Sequence, residues 1–166
     1  MLILGIDPGT ATTGYGLIKV KKDGYKVLKF GLIETDKNGK PEKRLVTIHN
    51  NILDIIKEYE PDVMAIEKLF FYANAKTAMR VGQAQGVMLF SAALCNTKVV
   101  EYAPGKIKKS IAGNGRANKK EVQKSLRKVL GAHVRSRKHK KTHFDNSADA
   151  LAVALCHAYE TGLKIK

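Results

Sequence analysis

Apolar positions fall into runs of two periods along this chain. The first run, from Met1 to Ile6, is apolar throughout apart from Gly5 and closes on Asp7-Pro8-Gly9. A Leu/Ile run without alternation predicts a strand covered on both faces, and Pro8-Gly9 a turn that stops it. Gly14 to Val20 predicts a second strand and Tyr25 to Thr35 a third. Lys22-Asp23-Gly24 lies between them, so the pair reads as an antiparallel hairpin. From Pro41 to Tyr59 the period changes: Leu45, Ile48, Ile52, Ile55 and Ile56 recur at helical spacing until Pro61. Asp62 to Glu67 then repeats the opening theme, a short apolar strand ending in one carboxylate. Asn74 to Leu94 predicts a helix whose small residues Ala75, Ala78, Gly82 and Gly86 share a face. That face admits close approach by another helix, within the monomer or across a dimer. Lys98 to Tyr102 predicts a fifth strand and Pro104 to Ile111 a short helix. After the turn Gly113-Asn114-Gly115, an amphipathic helix runs from Asn118 to Leu130, stopped by Gly131. A last helix runs from Asn146 to Tyr159. A three-strand meander followed by strands alternating with helices predicts an α/β sandwich around a five-stranded mixed sheet.

Length and composition place this pattern in one domain spanning residues 1–166, with ordinary hydrophobic (44%) and charged (27%) content. The net charge of +15 is not ordinary and makes a polyanion, nucleic acid ahead of a membrane surface, the leading partner. The charge is also concentrated. Lys106 to Lys141 holds fourteen Lys and Arg against one acid, Glu121, which leaves the rest of the chain near neutral. Single-sign clustering suits a phosphate backbone. A solubilising tail is the competing reading, but Val122, Leu126, Val129 and Leu130 give the segment an apolar face of its own. The Gly113-Asn114-Gly115 turn, with Arg116 beside it, could present backbone N–H groups to a phosphate. Residues 132–142 lack periodicity and are expected to be a mobile loop that orders on DNA. Cys95 and Cys156 lie in apolar helical patterns and read as buried free thiols of a reducing cytoplasm, without zinc-ligand spacing. No apolar run reaches transmembrane length, and the N-terminus has no signal-peptide pattern.

The acids carry the candidate chemistry. Asp7 and Glu67 each end an apolar strand, where a charge is poorly solvated and needs a partner. For Asp7 the bland alternative is a carboxylate that accepts hydrogen bonds from its own turn. Asp145-Asn146-Ser147-Ala148-Asp149 opens the last helix, with Asn146 and Asp149 three apart on one face. Asp145 or Asn146 would serve equally as an N-cap, whereas Asp149 lies inside the helix among apolar neighbours. Carboxylates at element ends beside a basic arm suit metal-assisted phosphodiester cleavage, in which two divalent ions ~3.5–4 Å apart hold the attacking water and the leaving oxygen. Oxygen ligands point to Mg²⁺, with Mn²⁺ as a substitute, rather than to zinc.

Gly5-Ile6-Asp7-Pro8-Gly9-Thr10, Thr13-Gly14-Tyr15-Gly16, Ala65-Ile66-Glu67, Gly82-Gln83-Ala84-Gln85-Gly86, Tyr102-Ala103-Pro104, Gly113-Asn114-Gly115 and Ala148-Asp149-Ala150-Leu151-Ala152 resemble, in order, the RuvC family of Holliday junction resolvases. The resemblance implies a ribonuclease H-like fold and a cytoplasmic homodimer. It implies paired symmetric nicks in opposed strands of a four-way DNA junction during recombination and repair, in concert with the branch-migration proteins RuvA and RuvB. It further implies Asp7, Glu67 and Asp149 as catalytic metal ligands, probing of the junction by Phe70 with Phe71 and Tyr72 beside it, and Lys108 and Lys119 near the cleaved phosphate. Three residues before the last aspartate the family carries an acid or a histidine, and this chain has Asn146. An amide oxygen can ligate but carries no charge; Asn146 is favoured for the position, with Asp145 and His143 as alternatives. For Phe70 the competing reading is a core position, and for the two lysines generic charge.

Three other functions compete. One is a related ribonuclease H-like nuclease acting on RNA or another DNA structure. Another is a non-catalytic junction-binding protein of the same fold, which only Asn146 favours. The third is a sugar-kinase or actin-like ATPase, whose phosphate loop also begins with an Asp-x-Gly turn, but which needs two such domains where this length gives one.

Overall fold

The computed structural model describes residues 1–69, 75–131 and 141–162, with residues 141–145 described as helical backbone alone. Its strands are β1 (Leu2–Asp7), β2 (Thr12–Lys21), β3 (Gly24–Glu34), β4 (Val63–Glu67) and β5 (Lys98–Tyr102). Its helices are α1 (Pro41–Tyr59), α2 (Ala75–Leu94), α3 (Pro104–Ala112), α4 (Lys119–Leu130) and α5 (Lys141–Glu160). The sheet order is β3-β2-β1-β4-β5. β1, β2 and β3 pair antiparallel, as the hairpin pattern predicts, while β4 and β5 add in parallel to β1. The parallel steps follow from their helical connections, since parallel strands need a long crossover.

β1 is the central strand, and its lack of alternation has the expected cause. Leu2, Leu4 and Ile6 pack against α1 and α2, with Ile48, Ile52, Met88 and Ala92. Ile3 points to the other face, where Leu151, Ala154 and Leu155 of α5 and Val122 and Leu126 of α4 fill a second core layer. Period-two alternation puts Gly5 and Asp7 on that same α5 face. Asp62 fastens the start of β1 to β4: its Oδ2 accepts from Leu2 N at 2.6 Å, and its own N–H donates to Leu2 O at 2.9 Å.

α5 approaches the sheet too closely for side chains to intervene. A methyl group on Gly5 would run into Ala150 O and Ala154, and one on Gly14 into Asn146 O. Gly16 likewise lies beneath Leu151. These glycines of β1 and β2 form a bare strip on which the helix lies.

Two expectations change. The last helix begins at Lys141 rather than at Asn146, so Asp145 and Asn146 are interior helical positions and not N-caps. The helix can extend because Lys141 to Asp145 contains neither Gly nor Pro. Of the expected loop 132–142, residues 141 and 142 are therefore helical and 132–140 lie outside the described residues. Cys156 is buried as expected, but Cys95 is only half-buried, because α2 ends there and turns toward β5. Among the described residues no helix is long and apolar enough to cross a membrane.

Gly5→Ala is expected to push α5 off the sheet and destabilise the protein by about 3 kcal/mol, read as a lowered denaturant midpoint at unchanged m-value.

Candidate active site

The end of β1 and the end of β4 lie side by side. Ile6 pairs with Ile66 in the parallel ladder, which brings Asp7 and Glu67 to neighbouring strand ends, both on the α5 face. Two threonines fix the turn after Asp7. Thr13 Oγ1 donates to Gly9 O at 2.7 Å and Thr35 Oγ1 to Thr10 O at 2.6 Å. Both bonds end on backbone carbonyls of the turn. Beyond Glu67, Tyr102 of β5 is the cross-strand partner, and its carbonyl accepts from Lys68 N at 2.8 Å. The last residues of β4 are thus held from both sides.

α5 supplies the third acid. Seated on the glycine strip, it carries Asp149 over the same end of the sheet. The three acids interact strongly. Burial, then repulsion from Asp149 and Glu67, pushes the Asp7 carboxyl up to about 7, against an opposing pull from Lys119. Burial and repulsion from Asp149 push Glu67 up to about 7 as well, opposed by Lys108 and Lys119. Lys119 Nζ bonds Asp149 Oδ2 at 2.8 Å. This ammonium comes from the first turn of α4, which a complete capping box starts: Asn118 Oδ1 accepts from Glu121 N, and Glu121 Oε2 from Asn118 N. A cleft of ≈ 220 Å³ lies among Glu67, Asp149, Lys108 and Lys119, with Pro104, Ile107, Val122 and Ala152 as its apolar wall.

This donor set fits a hard divalent cation. It offers carboxylate oxygens that repel one another, raised carboxyls that an added positive charge would ionise, and a lysine already acting as counter-ion to one of them. Among the described residues no group of three or more His, Cys, Asp and Glu side chains is placed so as to hold a metal ion.

The other expected site residues are distributed as follows. Asn146 is half-buried on α5, one turn before Asp149, with its carbonyl against Gly14. Lys108 and Lys119 both line the acidic cleft. Arg116 is exposed in the turn before α4, its N–H donating to Asn114 Oδ1 at 3.0 Å, and is not among the residues lining the cleft. Phe70, Phe71 and Tyr72 lie outside the described residues, as do the side chains of His143 and Asp145. The sequence reading missed the structural role of Gly5, Gly14 and Gly16. The signal was present as Gly in strand interiors, which marks close backbone approach.

The sequence matches the family model of the crossover junction endodeoxyribonuclease RuvC over residues 3–157. It is 46% identical over 158 residues to the crossover junction endodeoxyribonuclease RuvC of Moorella thermoacetica, covering 95% of this chain and 91% of that protein. The structure is similar to that of Thermus thermophilus RuvC, with a TM-score of 0.86 at 31% identity over 98% of this chain and 96% of that one. It is equally similar, at 0.86 and 32% identity over 97% and 94%, to T. thermophilus RuvC in complex with a Holliday junction substrate.

The raised Asp7 carboxyl makes stability depend on pH in a defined direction. Its pKa is near 3.9 in the unfolded chain and about 7 when folded. Below both values it is protonated in either state; as pH rises between them the unfolded chain ionises first, and stability falls until the loss is complete above about 7. Without divalent metal, Asp7→Asn is therefore expected to stabilise the protein at pH 8 by on the order of 2 kcal/mol, and the gain should vanish toward pH 4 in thermal melts.

Proposed function

As the chain belongs to the RuvC family, whose fold is ribonuclease H-like and whose members are metal-dependent nucleases, we propose that it resolves Holliday junctions by paired symmetric nicks in opposed strands. The observation that carries this reading is the cleft lined by Glu67, Asp149, Lys108 and Lys119, with Asp7 close enough to Glu67 and Asp149 for their charges to raise its carboxyl. Asp7, Glu67 and Asp149 hold the metal, and Asn146, on the same face of α5 as Asp149, takes the fourth position through its amide oxygen. The ions are Mg²⁺, two per site, with Mn²⁺ able to replace them; when bound they supply Lewis acidity and a water activated for in-line attack.

The chain's own groups do the rest. The acids must ionise to ligate, so cation binding releases protons and strengthens as pH rises through about 7. Lys119 leaves Asp149 for the scissile phosphate, where with Lys108 it offsets the charge that builds during displacement. The apolar wall from Ile107 to Ala152 restricts solvent behind the phosphate. Phe70, Phe71 and Tyr72, which follow β4 directly, would stack on bases exposed at the crossover, and Arg116 would contact backbone phosphate beside α4.

Paired cutting needs two sites, and α2 supports a homodimer. Met79, Phe90 and Leu94 are 69%, 57% and 55% exposed on one helix face, and Gly82 and Gly86 of the expected small-residue face have open space above them. An apolar face of this kind, self-complementary by two-fold rotation, suits a second copy of the chain. Action with RuvA and RuvB, in the cytoplasm, completes the proposal.

With a synthetic four-way junction the protein is expected to give paired nicks only when Mg²⁺ or Mn²⁺ is present. Asp7→Asn should lower cleavage by on the order of 10³-fold while still binding the junction; lost binding would make Asp7 structural. Asn146→Ala should weaken cation binding and Asn146→Asp strengthen it above pH 7, measured by calorimetry. Phe90→Glu should yield monomers in analytical ultracentrifugation.

A further inference from the structure

A second cationic cleft lies on the other face of the sheet. It encloses ≈ 160 Å³ and is lined by Thr10, Lys37, Gly39, Pro41, Arg44, Arg80 and Gln83. Three elements supply its charge: Lys37 comes from the β3–α1 loop, Arg44 from α1 and Arg80 from α2. No acid lines it, and among the described residues no carboxylate pairs with any of the three cations. Like charges brought together from three elements oppose folding unless an anion meets them.

The cleft is tied to the catalytic end of the sheet. Arg44 Nε donates to Thr35 Oγ1 at 2.9 Å, and Thr35 Oγ1 donates in turn to Thr10 O at 2.6 Å. Thr10 is three residues beyond Asp7, so it lies within ~11 Å of it along the chain. Arg44 is therefore pre-set by a short hydrogen-bond relay from the turn that carries Asp7. On the far side, Arg80 and Gln83 belong to α2 beside the exposed Met79. The cleft thus sits between the turn that carries Asp7 and the apolar face of α2.

We infer that the Lys37–Arg44–Arg80 cleft is a DNA phosphate-binding site, seating a backbone phosphate of the bound junction within a few nucleotides of the cut. The inference rests on the resolvase reading. Lys37 and Arg80 are the groups free to reach the phosphate; both are exposed and make no described hydrogen bond. Arg44 presents its remaining guanidinium N–H groups while its Nε holds the loop. Such a site would let a second stretch of backbone be held on the opposite side of Asp7 from Lys108 and Lys119. Contacts on both sides of the cleaved bond suit a branched substrate, whose strands leave the crossover in different directions.

The test compares wild-type protein with Lys37→Ala/Arg80→Ala by equilibrium binding to a synthetic four-way junction, without divalent metal, across a salt series. Both substitutions are on the surface and leave the Arg44 relay intact. The double variant is expected to bind several-fold more weakly, with a plot of log K against log salt shallower by roughly 1–2. A charge-preserving Lys37→Arg/Arg80→Lys variant should keep the wild-type slope. A wild-type slope in the alanine variant would overturn the inference, and so would an equal loss in the charge-preserving one, which would mark a fold effect. Failure of the folded wild-type protein to bind or nick the junction would instead sink the resolvase reading, and the inference with it.

Discussion

The close seating of α5 on the glycine strip of β1 and β2 is the constraint on which the site depends. A helix normally stands off a sheet by the depth of its side chains. Here Ala150 O, Ala154 and Asn146 O occupy the space where side chains of Gly5 and Gly14 would be, so the helix is lowered until Asp149 reaches the level of Asp7 and Glu67. A side chain at any of these glycines would move the third acid away from the other two. The large apolar residues of α5 continue the grip, with Leu151, Val153 and Leu155 fully buried.

That proximity has an electrostatic consequence. Burial and the neighbouring acids raise the proton affinity of Asp7 and Glu67, opposed by lysines drawn from α3 and α4. Lys119 is held on Asp149 at 2.8 Å. The site is strained in charge rather than in backbone.

The two faces of the sheet divide the remaining work. On the α5 face the apolar residues of α3 and α4 close the back of the acidic cleft and carry the basic segment to its rim. On the α1 and α2 face the core is complete beneath the helices, with Ile48, Ile52 and Met88 inaccessible, yet Phe90, Met79 and Leu94 still point outward. A helix that buries one side and leaves apolar residues on the other is suited to holding two such sites in a fixed relation.

The sequence by itself determined the strands, the helices and the two carboxylates that end strands, because these depend on local period, turn chemistry and chain order. β1 to β3, α1, β5 and α4 follow from runs that need no distant partner to be recognised, and Asp7 and Glu67 are visible as charges closing apolar runs. Asp149 is visible as an acid inside an apolar helical run, and motif order added Lys108 and Lys119. What only the tertiary structure decided is distance and depth. The pairing of Ile6 with Ile66, which sets Asp7 beside Glu67, joins residues sixty positions apart. The start of α5 at Lys141 makes Asn146 an interior residue. Gly5, Gly14 and Gly16 acquire their role only from the helix that lies on them. The cleft formed by Lys37, Arg44 and Arg80 belongs to three separate stretches that no local pattern connects. Local order is written in neighbouring residues, whereas the proximity that shifts a carboxyl or gathers three cations arises only when distant segments are packed together.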